Sequence, residues 1–303
     1  DYLKGTRLLG YGARYKEMMV QKAKHLYAEL DKKKPDCEGQ TYAIFEKYDG
    51  WFGYMDIRPT EEVVIKSRAG REIPSLVDLS KSLRGSLPAA FSGRLIFEIT
   101  IPSIPDFSTL NGVLNRSKAP CQAAGVVLKC HDLIVDESEG FGDRYVRLTD
   151  LVSYINRNDV QLAKIHGYGS HTDVQAFAEK VWAKGGEGAI GKQLNAPYRA
   201  GKRDATLIKV KEDVDADLLV IGVLGGQGKY QGTLGTLVCR DKAGNKHRVS
   251  GMTDAQRDQW WHSIDEIVGK VIEIKAMKKL PDGQYREPRF KAVRFDKTGA
   301  DID

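Results

Sequence analysis

Cysteine is sparse in this chain, and long apolar runs are missing. Its four cysteines, Cys37, Cys121, Cys130 and Cys239, are scattered over 303 residues without a C-x-x-C pair. That spacing argues against a zinc ribbon and against a disulfide-stapled scaffold, so reduced thiols in a cytoplasmic protein are the expectation. No stretch approaches the roughly 18 consecutive apolar residues that span a bilayer; runs such as 218–224 stop at strand length. No membrane partner is expected. Internal repeats and low-complexity segments are likewise missing. The first residue is Asp1 rather than Met, so a removed leader leaves nothing to check.

What is present is ordinary globular material with a basic balance. Lys and Arg number 47 against 41 Asp and Glu, a net charge of +6, and 41% of residues are hydrophobic. A packed core is expected. At roughly 100–200 residues per domain, the length predicts two domains.

Met19, Ala23, Leu26 and Leu30 recur at helical spacing and predict an opening helix that stops at the lysines before Pro35. From Thr41 the texture changes to short strand-like runs at 42–45, 52–57, 63–67 and 95–99, punctuated by Gly and Pro. A further apolar run at 126–135 precedes helix candidates at 149–155 and 172–184, and Gly185 is placed to end the second. Strands at 188–193 and 206–211 follow. Many strands with few helices predict an α+β sheet domain rather than regular βαβ units. The acidic segment 212–217 reads as a linker. Beyond it, five strand-like runs (218–224, 234–240, 246–250, 270–277, 289–296) and one helix candidate (253–268) fit a small OB-fold β-barrel. The expected boundaries are 1–212 and 213–303.

Within this frame, chemistry-bearing residues follow one another in a set order. Lys47-Tyr48-Asp49-Gly50 sits where the strand at 42–45 runs into a turn. Then come Ser67-Arg68-Ala69-Gly70, Glu98 at the end of its strand, Glu187-Gly188-Ala189-Ile190-Gly191-Lys192, Leu207-Ile208-Lys209-Val210-Lys211 and Arg294-Phe295-Asp296-Lys297. Alternation along a strand points Lys209 and Lys211 the same way while Ile208 and Val210 face the core. Two ammonium groups so placed suit one phosphate. The loop 225–232 is Gly-rich but lacks a Gly-Lys-Ser/Thr ending and a following helix, so it is not a P-loop. Trp260 and Trp261, with Ile264 and Ile267 nearby, predict core packing for at least one indole.

These six elements, in this order, resemble the ATP-dependent DNA ligases of the covalent nucleotidyltransferase superfamily, and most of all the small two-domain ligases of phages and bacteria. The resemblance covers about 42–297. It implies an ATP-grasp-like nucleotidyltransferase (adenylation) domain followed by the OB barrel. ATP and Mg²⁺, with Mn²⁺ as a substitute, are the implied cofactors. The implied reaction seals 5′-phosphate/3′-hydroxyl nicks in duplex DNA through a lysyl–AMP intermediate, in replication or repair. By the same resemblance Lys47 is the nucleophile. Arg68, Glu98, His131, Lys209, Lys211, Arg294 and Lys297 contact the nucleotide, with Glu46 as a further candidate for the adenine. Glu187, and after it Glu98, would hold the metal.

Three positions depart from the family pattern. Phe52 stands where an arginine is usual, Phe45 where the adenine-reading glutamate is usual, and His131 where an aromatic ring stacks on the base. Local basic excess marks the expected DNA surface: six Lys or Arg against one acid over 192–211, and nine against four over 270–297. Lys192, Arg199, Lys202, Arg203 and Lys229 are its candidate contacts. A monomer in the cytoplasm, or in the host cytoplasm for a phage protein, completes the expectation. An RNA ligase or capping-type nucleotidyltransferase is the nearest alternative, and a non-catalytic DNA-binding module is another.

Overall fold

The structure is a computed structural model that describes residues 19–104, 107–117, 122–280 and 282–303. Asp1 and Cys121 lie outside the described residues; the other three cysteines are free and buried. Contacts divide the chain into two compact units, the first ending at Lys211 and the second beginning at Glu212. Among the described residues, no helix is long and apolar enough to cross a membrane.

The first unit runs β1 (Lys24–His25), α1 (Leu26–Leu30), β2 (Tyr42–Glu46), β3 (Trp51–Ile57), β4 (Lys66–Ser67), α2 (Val77–Arg84), β5 (Gly93–Thr100), α3 (Phe107–Leu114), β6 (Val127–Ile134), α4 (Phe141–Ile155), β7 (Val160–Leu162), β8 (Ile165–Gly169), α5 (His171–Trp182), β9 (Gly188–Gln193) and β10 (Leu207–Lys211). These strands form two sheets, ordered β1-β10-β9-β2-β8 and β4-β3-β5-β6-β7. The α+β class expected from the sequence is the class observed.

Strand alternation gives each sheet two distinct faces. On β2, Tyr42 and Ile44 pack with Val174 and Ala178 of α5, whereas Ala43 and Phe45 pack with Phe141 and Ala163. On β10, Ile208 and Val210 are fully buried with the α5 face, which leaves Lys209 on the other side. On β5, Leu95, Phe97 and Ile99 enter the main core, while Ile96 joins Tyr54 and Tyr198 on the opposite face. The faces bearing Phe45, Lys209 and Ile96 border one cavity, and the apolar residues between them anchor it on both sides.

The second unit runs β11 (Val214–Gly225), β12 (Leu234–Arg240), β13 (Lys246–Val249), α6 (Asp254–His262), β14 (Val271–Ala276), β15 (Lys278–Lys279), β16 (Tyr285–Arg286) and β17 (Arg289–Val293). Five strands form an antiparallel sheet ordered β13-β12-β11-β14-β17. A bridge between Ser250 and Arg289, with Phe290 N donating to Ser250 O at 2.7 Å, closes that sheet into a barrel. Thr253 and Gln256 cap α6 reciprocally, and Trp260 from this helix is buried with its ring edge-on to Phe290. The core reading of the tryptophan pair holds for Trp260.

Two expectations about organisation are corrected. Only Leu26–Leu30 of the predicted opening helix is helical. Lys24 and His25 instead pair in parallel with Ile208 and Lys209, because the unpaired edge of β10 takes up the segment as a strand. The acidic stretch 212–217 is not a linker throughout. From Val214 it is the start of β11, and Asp217 is buried because Arg294 and Lys297 neutralise it at 3.2 and 2.5 Å. Helices α2, α3 and the first half of α4 were not anticipated.

One glycine fixes how the chain enters β9. Gly188 has φ of +142°, and a methyl group there would run into the Val210 carbonyl and the Lys211 backbone. Gly188→Ala is therefore expected to destabilise the first unit by about 2–3 kcal/mol. Thermal melting reads this as a midpoint lowered by several degrees, and an unchanged midpoint would contradict it.

Candidate active site

The first unit contains a cavity of about 380 Å³, within the range usual for small-molecule sites. Its lining joins both sheets: Phe45, Glu46 and Lys47 at β2, Ile190 and Lys192 on β9 and Lys209 on β10 face Phe52 on β3, Ile96 and Glu98 on β5, and His131 and Asp132 on β6. Reactive polar groups collect at one end, and a buried charge cluster closes the other.

Lys47 follows β2 directly. Its backbone N–H donates to Gly188 O at 2.9 Å, and its Nζ lies 2.5 Å from Glu187 Oε2. Glu187 is held in turn by its backbone, since Trp182 Nε1 donates to Glu187 O at 3.0 Å and Gly188 forces the turn. The amine is thus aimed by a carboxylate from the neighbouring strand end.

Charges around this pair perturb one another. Burial pushes the Glu98 carboxyl up to about 7; Lys47 and Arg68 pull it down, while Glu187 and Asp49 add to the rise. Burial brings the Lys209 ammonium down to about 8, helped by Lys211, Lys47 and Arg203. Arg68 is stacked with its guanidinium carbon 4.2 Å from the centre of the Phe52 ring. Phe52, at the position where an arginine is usual, is therefore the platform on which Arg68 rests.

At the opposite end the register of β6 against β5 skips one residue. Ile96 pairs with Asp132 and Phe97 with Cys130, so His131 is the extra residue of a bulge. The bulge lets adjacent residues, His131 and Asp132, both reach the cavity. Behind them Arg144 from α4 meets Asp132 at 2.9 and 3.3 Å, and Lys192 meets it at 3.1 Å. All three side chains are almost completely buried. Burial alone would raise the Asp132 carboxyl, but Lys192 and Arg144 outweigh it and hold the group at about 2. Burial, reinforced by Lys192, lowers the His131 imidazole to about 3 and keeps it neutral.

Of the expected site residues, Lys47, Glu46, Arg68, Glu98, His131 and Lys209 line the cavity, and Glu187 touches it through Lys47. Lys211 shares the face of Lys209 on β10. Arg294 and Lys297 belong to the second unit, where both bind Asp217 and Arg294 also binds Asp296 at 2.7 Å. One residue expected on a DNA surface is placed otherwise: Lys192 is buried on Asp132 because that carboxylate needs its charge. Arg203 is exposed and borders the cavity. Arg199 lies half-exposed beside Asp204 at 2.9 Å, and Lys229 lies over the Tyr230 ring. The sequence reading missed Gln21, Lys22, Tyr198 and Arg144. Gln21 and Lys22 reach the cavity because Tyr198 Oη and Lys202 O accept from their backbone N–H groups at 3.0 and 2.9 Å. Their only sequence signal was a segment too polar for the predicted helix face.

The buried cluster gives a stability test. Asp132→Asn leaves two cations without a counter-charge and is expected to cost about 3–5 kcal/mol, whereas Arg199→Ala at the exposed pair costs less than about 1 kcal/mol. Because the folded Asp132 carboxyl lies below its unfolded value, its contribution is complete above about pH 4 and disappears as pH falls towards about 2. Denaturant melts of both variants across that range check the size and the sign.

The family described as ATP dependent DNA ligase domain matches residues 17–211, and the DNA ligase OB-like domain matches residues 225–294. A probable DNA ligase of Anaeromyxobacter sp. (strain K) is 33% identical over 161 residues, covering 45% of this chain and 31% of that protein. A probable DNA ligase of Anaeromyxobacter dehalogenans (strain 2CP-1 / ATCC BAA-258) is 44% identical over 154 residues, covering 42% and 30%. The chain thus spans about a third of the length of these curated relatives. Among solved structures, a Lig E DNA ligase superposes with a TM-score of 0.72 at 22% identity, over 91% of this chain and 99% of that one. The ATP-dependent DNA ligase of bacteriophage T7, in complex with ATP, gives 0.52 at 20% identity, over 92% and 99%. At these identities the structural matches establish a shared fold, and the match over 17–211 establishes descent: the chain belongs to the ATP-dependent DNA ligase family.

Proposed function

We propose that this protein is an ATP-dependent DNA ligase that seals 5′-phosphate/3′-hydroxyl nicks in duplex DNA, acting as a monomer. The observation that carries the reading is the aim of Lys47 Nζ into the cavity beside Glu187, with Lys209 on the same wall. In the first step the Lys47 amine attacks the α-phosphorus of ATP; a phosphorus–nitrogen bond forms, the α–β bridge breaks and pyrophosphate leaves. An oxygen of the DNA 5′-phosphate then takes the AMP from Lys47, and the 3′-hydroxyl displaces AMP to close the strand. Glu187 stands close enough to accept the ammonium proton before attack. Lys209 and Lys211, on one face of β10, are the charges that meet the phosphates. Arg294 and Lys297 are proposed for the β- and γ-phosphates, and to act there they must exchange Asp217 for them.

Mg²⁺ belongs to the same proposal. Among the described residues no three His, Cys, Asp or Glu side chains form a closed cation cage. Glu98 lines the cavity and Glu187 meets Lys47 at its edge, a pair of carboxylates that suits an ion held by one or two acidic side chains and the substrate phosphates. Bound there, the ion would supply positive charge to the phosphates during transfer.

Two outcomes are expected. With α-labelled ATP the wild type takes up label and seals a nicked duplex, while Lys47→Ala does neither; a wild type that takes no label overturns the reading, and sealing of nicked RNA in preference to DNA replaces it with an RNA ligase. Lys209 loses its charge as pH rises through about 8, so affinity for an ATP analogue with an uncleavable α–β bridge falls above that pH. Lys209→Arg is expected to remove that fall, which equilibrium binding at pH 7 to 9.5 checks.

A further inference from the structure

Lys192 does more than neutralise Asp132. Its Nζ lies 2.7 Å from His131 O, 3.1 Å from Asp132 Oδ2 and 3.1 Å from His131 Nδ1. An ammonium has three protons and no lone pair, so these three contacts use all its donors and require a bare, accepting Nδ1. A neutral imidazole accepting at Nδ1 carries its proton on Nε2. His131 is one of the residues that line the cavity. Among the described residues no protein group hydrogen-bonds Nε2, which leaves that N–H for a ligand of the cavity that His131 lines. The bulge at His131 is what turns the ring there.

Distance along the sheet says which part of a nucleotide would meet this donor. Lys192 is four residues from Gly188 on β9, roughly 13 Å at about 3.3 Å per residue. Gly188 lies beside Lys47, through the bond from Lys47 N to Gly188 O. With the α-phosphate at Lys47, the base is the part that extends towards Lys192 and His131.

We propose that His131, fixed by Lys192 as the Nε2–H tautomer, is a specificity-determining residue that donates one hydrogen bond to a ring nitrogen of the bound purine. The inference rests on the ligase reading and adds to it the means by which the base is read. A neutral ring, kept so by burial and Lys192, holds this one pattern through the physiological pH range.

The test compares the rate of covalent label uptake, as kcat/KM, from ATP and from its 1-deaza, 3-deaza and 7-deaza analogues. In the wild type one analogue, lacking the accepting nitrogen, is expected to be used about tenfold less well than ATP. His131→Phe keeps an aromatic ring without a donor and should erase that difference; His131→Gln, whose amide reaches to about the Nε2 position, should retain part of it. Nitrogen-15 spectra of the histidine-labelled wild type should show a protonated Nε2 and a bare Nδ1 for His131 from pH 5 to 9. Equal use of all four nucleotides, a protonated Nδ1, or a preference that survives in His131→Phe overturns the proposal while the ligase reading stands. No label from ATP itself removes that reading and the proposal with it.

Discussion

The buried contact of Asp132 with Lys192 and Arg144 is the constraint around which the first unit is organised. It joins β6 of one sheet to β9 of the other and to α4, across the space where the cavity lies. Two cations and one anion taken out of water are stable only when paired closely and hydrogen-bonded fully, and Arg144 meets this by also donating to the carbonyls of Glu139 and Ala196. The cluster ties the two sheets together at one end of the cavity that lies between them.

At the other end of the cavity the logic is reversed. Burial there outweighs the compensating charges: Glu98 is driven towards neutrality and Lys209 towards losing its proton. Groups whose ordinary charge is disfavoured in the free protein are those that gain most when a polyphosphate and its counter-ion arrive. The closed cluster is fully paired and the open one is not, and the strand β9 carries Lys192 of the first and begins beside Glu187 of the second.

Much of this could be read from the residues because strand alternation is a local code. Ile208 and Val210 inside, Lys209 outside, and the start of β9 at Gly188 follow from period two and from a glycine at a turn. What escaped depended on partners distant in sequence. Lys192 counted as a surface charge because nothing nearby reveals Asp132, sixty residues earlier, as its counter-ion. The acidic run at 212–217 looked like a solvated linker for the same reason, since Arg294 and Lys297 make the burial of Asp217 possible from nearly eighty residues away. Gln21 and Lys22 were hidden by a spacing compatible with a helix, which pairing of Lys24 and His25 with β10 overrode. The bulge at His131 has no signature in composition at all.

Lys47, through its Nζ, is the proposed carrier of adenylate. Incubation of the protein with ATP and Mg²⁺, digestion and mass spectrometry of the peptides test this most directly. One AMP, acid-labile and attached to the peptide containing Lys47, is the predicted result. An unmodified Lys47 peptide, or adenylate on a different lysine such as Lys209, would contradict it.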